Sequence, residues 1–137
     1  MKVIPIFASA GITGFESPAA EYQELGLSLD ELLIRNPNAT FIGLAKGSSM
    51  QEFGIFDGDL LIVDRSETTK DIDVVVANYN GNFCCKILDK VNKLLISSAP
   101  DHKPVSILDC DEFQLEGVVI FSVRCHRKPV ELLSCML

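Results

Sequence analysis

The chain has 137 residues and a mass of 15.0 kDa, with 47% hydrophobic and 23% charged residues, which suits one globular domain able to bury a core without metal or disulfides. A net charge of −7 and a pI near 4.7 argue against direct DNA binding, which needs a basic face. No apolar run approaches the roughly 20 residues of a membrane span, and Met1–Phe7, broken by Pro5, is too short for an export signal.

The chain opens with an apolar stretch and the small, flexible run Ala8-Ser9-Ala10-Gly11-Ile12-Thr13-Gly14, so residues 1–16 read as a mobile arm and residues 17–137 as the folded domain. Two short helices are expected next. Ser17-Pro18 places proline at a first helical position, and Ser28-Leu29-Asp30-Glu31 is a capping box. Asn36-Pro37 should end the second helix, because a residue before proline avoids helical angles. Short apolar runs between turn residues then predict strands at 40–45, 60–64, 73–79, 83–88, 93–97, 105–108 and 113–124. Asn80-Gly81 is a hairpin signal, since both residues tolerate positive φ. The fold class is therefore mainly β, with two short N-terminal helices and the arm.

The five cysteines (Cys84, Cys85, Cys110, Cys125 and Cys135) are an odd number in a chain without an evident export signal, which points to reduced thiols in the cytoplasm. There is no C-x-x-C, and His102 and His126 lie at no ligand spacing with a cysteine pair, so a zinc site is not expected. Cys84 and Cys85 read as small strand residues. Lys86, by strand alternation, shares a face with Cys84 and Leu88. A lysine between apolar neighbours either guards a sheet edge or, desolvated, becomes a neutral amine able to act as a general base. Ser49, in Gly47-Ser48-Ser49-Met50, lies in a turn after a strand. It is either a structural turn serine or a nucleophile awaiting a base, with nearby backbone N–H groups of Ser49 and Met50 as oxyanion donors.

Three segments taken together narrow these options: Gly47-Ser48-Ser49-Met50, Asp57-Gly58-Asp59-Leu60-Leu61-Ile62-Val63-Asp64, and Phe83-Cys84-Cys85-Lys86-Ile87-Leu88. The set resembles the self-cleaving domain of the LexA and UmuD family, its UmuD-like members most closely. Phe15–Tyr22, Leu29–Ile34 and Gly117–Ile120 extend the likeness over about residues 10–123. No DNA-binding segment of the LexA-repressor type is expected, in keeping with the acidity of the chain. The resemblance implies a curled β domain with a serine–lysine dyad, Ser49 as nucleophile and Lys86 as general base, needing no metal or cofactor. It also implies a homodimer that cuts its own arm when held against a RecA-type filament after DNA damage. The shortened protein would then serve a UmuC-type translesion polymerase as an accessory subunit.

Proteins of this kind are cut between a small residue and glycine. Counting back from Phe15-Glu16-Ser17-Pro18 without gaps reaches Thr13-Gly14, whereas Ala10-Gly11 fits the chemistry after a short insertion. Loops absorb insertions cheaply, but a pocket for a small side chain resists a β-branched one. Ala10-Gly11 is thus the expected bond and Thr13-Gly14 the alternative. Thr13 also leaves open a non-cleaving accessory module with an inactive dyad. Ser48, Asp57 and Asp59 read as turn residues, and Arg124-Cys125-His126-Arg127-Lys128-Pro129 as a solvated basic surface.

Overall fold

The computed structural model describes residues 26–135. The expected arm, the helix expected from Ser17-Pro18, and the Ala10-Gly11 and Thr13-Gly14 bonds lie outside the described residues. The chain divides into two units between Arg35 and Asn36. The described part of the first holds α1 (Leu29–Leu33), with Ser28 as its cap. Ser28 Oγ accepts the Glu31 N–H and donates to Glu31 Oε1, both at 3.2 Å. The acidic residue thus returns to the serine hydroxyl rather than to its backbone N–H, a variation on the capping box. Extended angles at Ile34 stop the helix, before Asn36-Pro37 is reached.

The second unit is a seven-stranded sheet in the order β1-β2-β7-β3-β4-β5-β6, with every neighbouring pair antiparallel. The strands are β1 (Thr40–Leu44), β2 (Leu60–Asp64), β3 (Ile72–Tyr79), β4 (Asn82–Asp89), β5 (Leu94–Ile96), β6 (Val105–Ser106) and β7 (Phe113–Val123). All seven expected strands are present. β6 is shorter than expected because Asp111 Oδ2 takes the Leu108 N–H at 2.7 Å. Asn80 (φ 50°) and Gly81 (φ 85°) form the two-residue β3–β4 hairpin, the positive-φ pair that matches strand twist.

Alternation along the strands gives each face of the sheet its own core. Val74, Val76, Cys85 and Ile87 join Met50, Ile55, Leu61 and Val63, while Val75, Ala77, Cys84 and Leu88 join Leu95, Ile107 and Phe113. β7 is the strand that adapts. Its pairing partner on β2 jumps past Ile120 between Ile62 and Val63. On β3 it jumps past Glu116 between Val76 and Ala77. Two bulges within eleven residues bend the strand and raise its twist. Between them Gly117 passes so close to β2 that a Cβ would sit 2.7 Å from Val63 Cγ1 and 3.0 Å from the Asp64 carbonyl oxygen.

The tail departs from expectation. Arg124 is not part of a solvated basic surface: its Nε and Nη2 grip the two carboxylate oxygens of Asp59 at 2.9 Å. Nη2 also donates to the Gly54 carbonyl at 3.0 Å, and the guanidinium lies 3.9 Å above the Phe56 ring. The cause is Asp59, whose side chain is 2% exposed and needs a paired cation to remain charged there. Beyond it, Val130–Cys135 forms α2, an element not foreseen, and the Pro129 carbonyl accepts the Leu132 and Leu133 N–H groups. Among the described residues no helix is long and apolar enough to cross a membrane.

Gly117→Ala forces backbone to shift between β7 and β2, which should cost roughly 2 kcal/mol, a fall in Tm of about 6–8 °C at this chain length by thermal denaturation. The Arg124 guanidinium holds the Asp59 carboxyl below its ordinary value of 3.8. A carboxyl lowered in the folded state stabilises above its unfolded pKa, and that contribution is lost as pH falls through the folded value. Arg124→Ala should therefore melt lower at neutral pH, with a gap to the parent that narrows as pH drops below about 4. A gap independent of pH would mean that the arginine acts through packing alone.

Candidate active site

The turn after β1 is built to present a side chain. At its base the Ala45 N–H donates to the Asp59 carbonyl and the Gly58 N–H to the Ala45 carbonyl, both at 2.8 Å. The chain then turns through Gly47 at φ +92°, a conformation that favours glycine, and the Gly47 N–H is taken by Asp57 Oδ1 at 2.7 Å. Asp57 and Asp59 are thus turn residues, as their Asp-Gly-Asp spacing implied. Met50 is 4% exposed, and its carbonyl accepts the Phe53 and Ile55 N–H groups. The buried methionine anchors the turn, while Ser48 stays exposed and Ser49 is half-buried.

Ser49 is held from a second direction by the segment after β5. Its carbonyl accepts the Ser98 N–H at 2.8 Å, the Ala99 N–H at 3.3 Å and the Ser98 hydroxyl at 3.0 Å. Ser98 Oγ in turn accepts the Glu52 N–H at 3.1 Å. With its carbonyl so occupied, the backbone of Ser49 has little freedom, and its hydroxyl points to β4. Among the described residues no acceptor meets the N–H of Ser49 or of Met50.

Lys86 comes to that hydroxyl from β4, an interior strand between β3 and β5, so it does not guard a sheet edge. Its Nζ lies 2.8 Å from Ser49 Oγ and 2.7 Å from Ser97 Oγ. Among the described residues these hydroxyls are its partners, and no carboxylate pairs with it. The two residues singled out in the sequence, 37 positions apart, therefore meet side chain to side chain. Ser97 was not singled out. Its signal lay in the hairpin register: Ile87 pairs with Ile96, so the next rung sets Lys86 opposite Ser97. Reading that register requires knowing that the turn closes on Asp89 and Leu94, with Lys93 at φ 53°.

Ser49 and Lys86 stand in a cleft of about 440 Å³, lined by Phe41, Leu44, Met50, Ile55, Val76 and Cys85 among others. The apolar lining lowers the local dielectric, which strengthens polar contacts made inside it. The flanking thiols do not compete for the chemistry. Burial pushes Cys85 up to about 11 and raises Cys84 as well, keeping both as protonated, unreactive strand residues. Among the described residues no cluster of three or more His, Cys, Asp or Glu side chains forms a metal-binding group.

A hydroxyl 2.8 Å from an amine, in a cleft beside backbone N–H groups with no acceptor among the described residues, has the parts that acyl transfer needs. Comparison with known proteins points the same way. The family described as Peptidase S24-like matches residues 4–120, a span that includes the Ser49 turn, β4 and most of β7. The chain is 40% identical to Protein ImpA of Salmonella typhimurium over 127 residues, covering 90% of this chain and 82% of that one. It is 37% identical to Protein MucA of Escherichia coli over 126 residues, covering 90% and 86%. Against the LexA repressor of Acidithiobacillus ferrooxidans it is 37% identical over 111 residues, covering 77% of this chain and about half of the repressor (54%). The likeness first read from Gly47–Met50, Asp57–Asp64 and Phe83–Leu88 is thus a true family relationship, and the chain belongs to the Peptidase S24-like family.

Proposed function

We propose that this protein is a self-processing serine peptidase of the cytoplasmic DNA-damage response. The observation that carries this reading is the 2.8 Å hydrogen bond between Lys86 Nζ and Ser49 Oγ. In the reaction, neutral Lys86 takes the proton of the Ser49 hydroxyl as Oγ attacks the carbonyl carbon of the scissile bond. The carbonyl oxygen gains negative charge as its π bond opens. The Ser49 and Met50 N–H groups, with no acceptor among the described residues, are the donors for that charge. Lys86 then returns the proton to the leaving amine of glycine, and water releases the acyl group from Ser49.

The substrate in this reading is the chain's own arm, residues 1–16, cut at Ala10-Gly11 or, alternatively, at Thr13-Gly14. The partners rest on the family resemblance: a homodimer, a RecA-type filament that promotes the cut, and a UmuC-type translesion polymerase that the shortened dimer serves. The net charge of −7 supports action through these proteins rather than through DNA directly. Thr13 favours a second reading, a polymerase accessory subunit that is never cut, since its β-branch suits a small-residue pocket poorly.

Incubation of the full chain at about pH 10, where an ordinary lysine is substantially neutral, followed by intact-mass analysis, separates the two. Self-processing should yield a product beginning at Gly11 or Gly14. Its rate should climb with pH across the alkaline range, because only a neutral amine accepts a proton. Ser49→Ala and Lys86→Ala should each abolish the cut, both with unchanged melting profiles. A chain left intact at high pH, and again with RecA filaments, would support the uncut accessory subunit. Cutting that persists in either variant would remove the dyad assignment.

A further inference from the structure

Lys86 has a second partner that the proposed reaction does not consume. Nζ donates to Ser97 Oγ at 2.7 Å, a contact as short as that with the nucleophile. Ser97 is half-buried and follows directly after β5, on the rung next to the Ile87–Ile96 pair. The β4–β5 pairing thus ends one residue short of it, and the chain leaves β5 beside the lysine. The neighbouring Ser98 holds the carbonyl of Ser49 through both its N–H and its hydroxyl. One dipeptide thus grips both members of the pair, Ser97 at the amine and Ser98 at the nucleophile's backbone.

The chemistry requires such a grip. A lysine amine rides on a flexible four-carbon stem, and among the described residues no carboxylate pairs with it to set its direction. A neutral amine has two N–H donors and one lone pair. To receive the Ser49 proton, the lone pair must face Oγ, so an N–H must be satisfied elsewhere. Ser97 Oγ stands where it can accept that N–H, and it can go on accepting once the amine has become an ammonium. The proton moves from Ser49 Oγ to Lys86 Nζ without Nζ changing place.

We infer that Ser97 is a positioning residue for Lys86, aiming its lone pair at Ser49 through the reaction; this rests on the dyad reading above. The test follows self-cleavage of the full chain across alkaline pH for the parent, Lys86→Ala, Ser97→Ala and Ser97→Thr, with thermal melts alongside. Ser97→Ala should lower the plateau rate about 10–100-fold, the scale of a misplaced reacting group. Its half-maximal rate should also move to lower pH, because an acceptor for the charged amine has been removed. Ser97→Thr, which keeps the hydroxyl, should restore both. Ser97→Ala behaving like the parent while Lys86→Ala is inert would overturn the role of Ser97 and leave the dyad standing. Equal slowing in Ser97→Ala and Ser97→Thr with an unmoved pH profile would reduce Ser97 to a structural residue. An uncut parent, or a Lys86→Ala chain cut as fast as the parent, would overturn the dyad itself.

Discussion

The β4–β5 hairpin register is the constraint on which the site depends. Pairing of Ile87 with Ile96 and of Asp89 with Leu94 brings the chain after β5 up beside Lys86. From that position Ser97 meets the amine, while Ser98 and Ala99 meet the Ser49 carbonyl. A slip of one residue would turn every side chain of β5 to the other face of the sheet. Leu95 and Ile96 would then exchange the two cores they now fill, and Ser97 would leave the lysine. Burial of Leu95 on one side and packing of Ile96 on the other penalise that slip. The turn itself adds to the specification, with Asp89 accepting two hydrogen bonds from Asn92.

The turn that carries Ser49 is held by a different set of forces. It has no regular backbone pairing of its own beyond a 3₁₀ turn at Gln51–Phe53, so its placement comes from anchors at each end. Met50 and Ile55 are buried in the sheet core. Asp57 takes the Gly47 N–H, and Asp59, paired with Arg124, takes the Phe56 N–H. Asp57 and Asp59 are therefore the braces of the loop. Arg124 extends the bracing to the end of β7, the strand that joins the β1–β2 and β3–β6 parts of the sheet. A rigid frame around a half-buried hydroxyl lets a weak nucleophile and a flexible amine keep reactive geometry.

β7 shows how a sheet with a core on each face accommodates this. Its bulges at Glu116 and Ile120 let one long strand pair with β2 and with β3 while changing direction between them. Gly117 lies between the bulges because a side chain there would overlap Val63 and the Asp64 backbone. At the same corner Asp64, fully buried, is satisfied by Asn36 and by the backbone and hydroxyl of Ser66. These contacts keep its carboxyl ionised below the usual range and tie the start of the sheet unit to the β2 turn.

Much of this was legible in the residues. Period-two alternation and turn chemistry located all seven strands, and Ser28 and Asn80-Gly81 marked a helix start and a hairpin, because these signals act over a few neighbouring residues. The motif set marks Ser49 and Lys86, which lie 37 positions apart in the chain. What the sequence by itself determined was therefore element type and sheet class, consequences of local periodicity and local backbone preference. Tertiary structure alone decided that Lys86 sits inside the sheet rather than at its edge, that Arg124 serves a buried carboxylate instead of solvent, and that Ser97 reaches the amine. Each of these depends on which strands lie side by side and in what register, and strand order and register arise from packing between residues far apart in the chain.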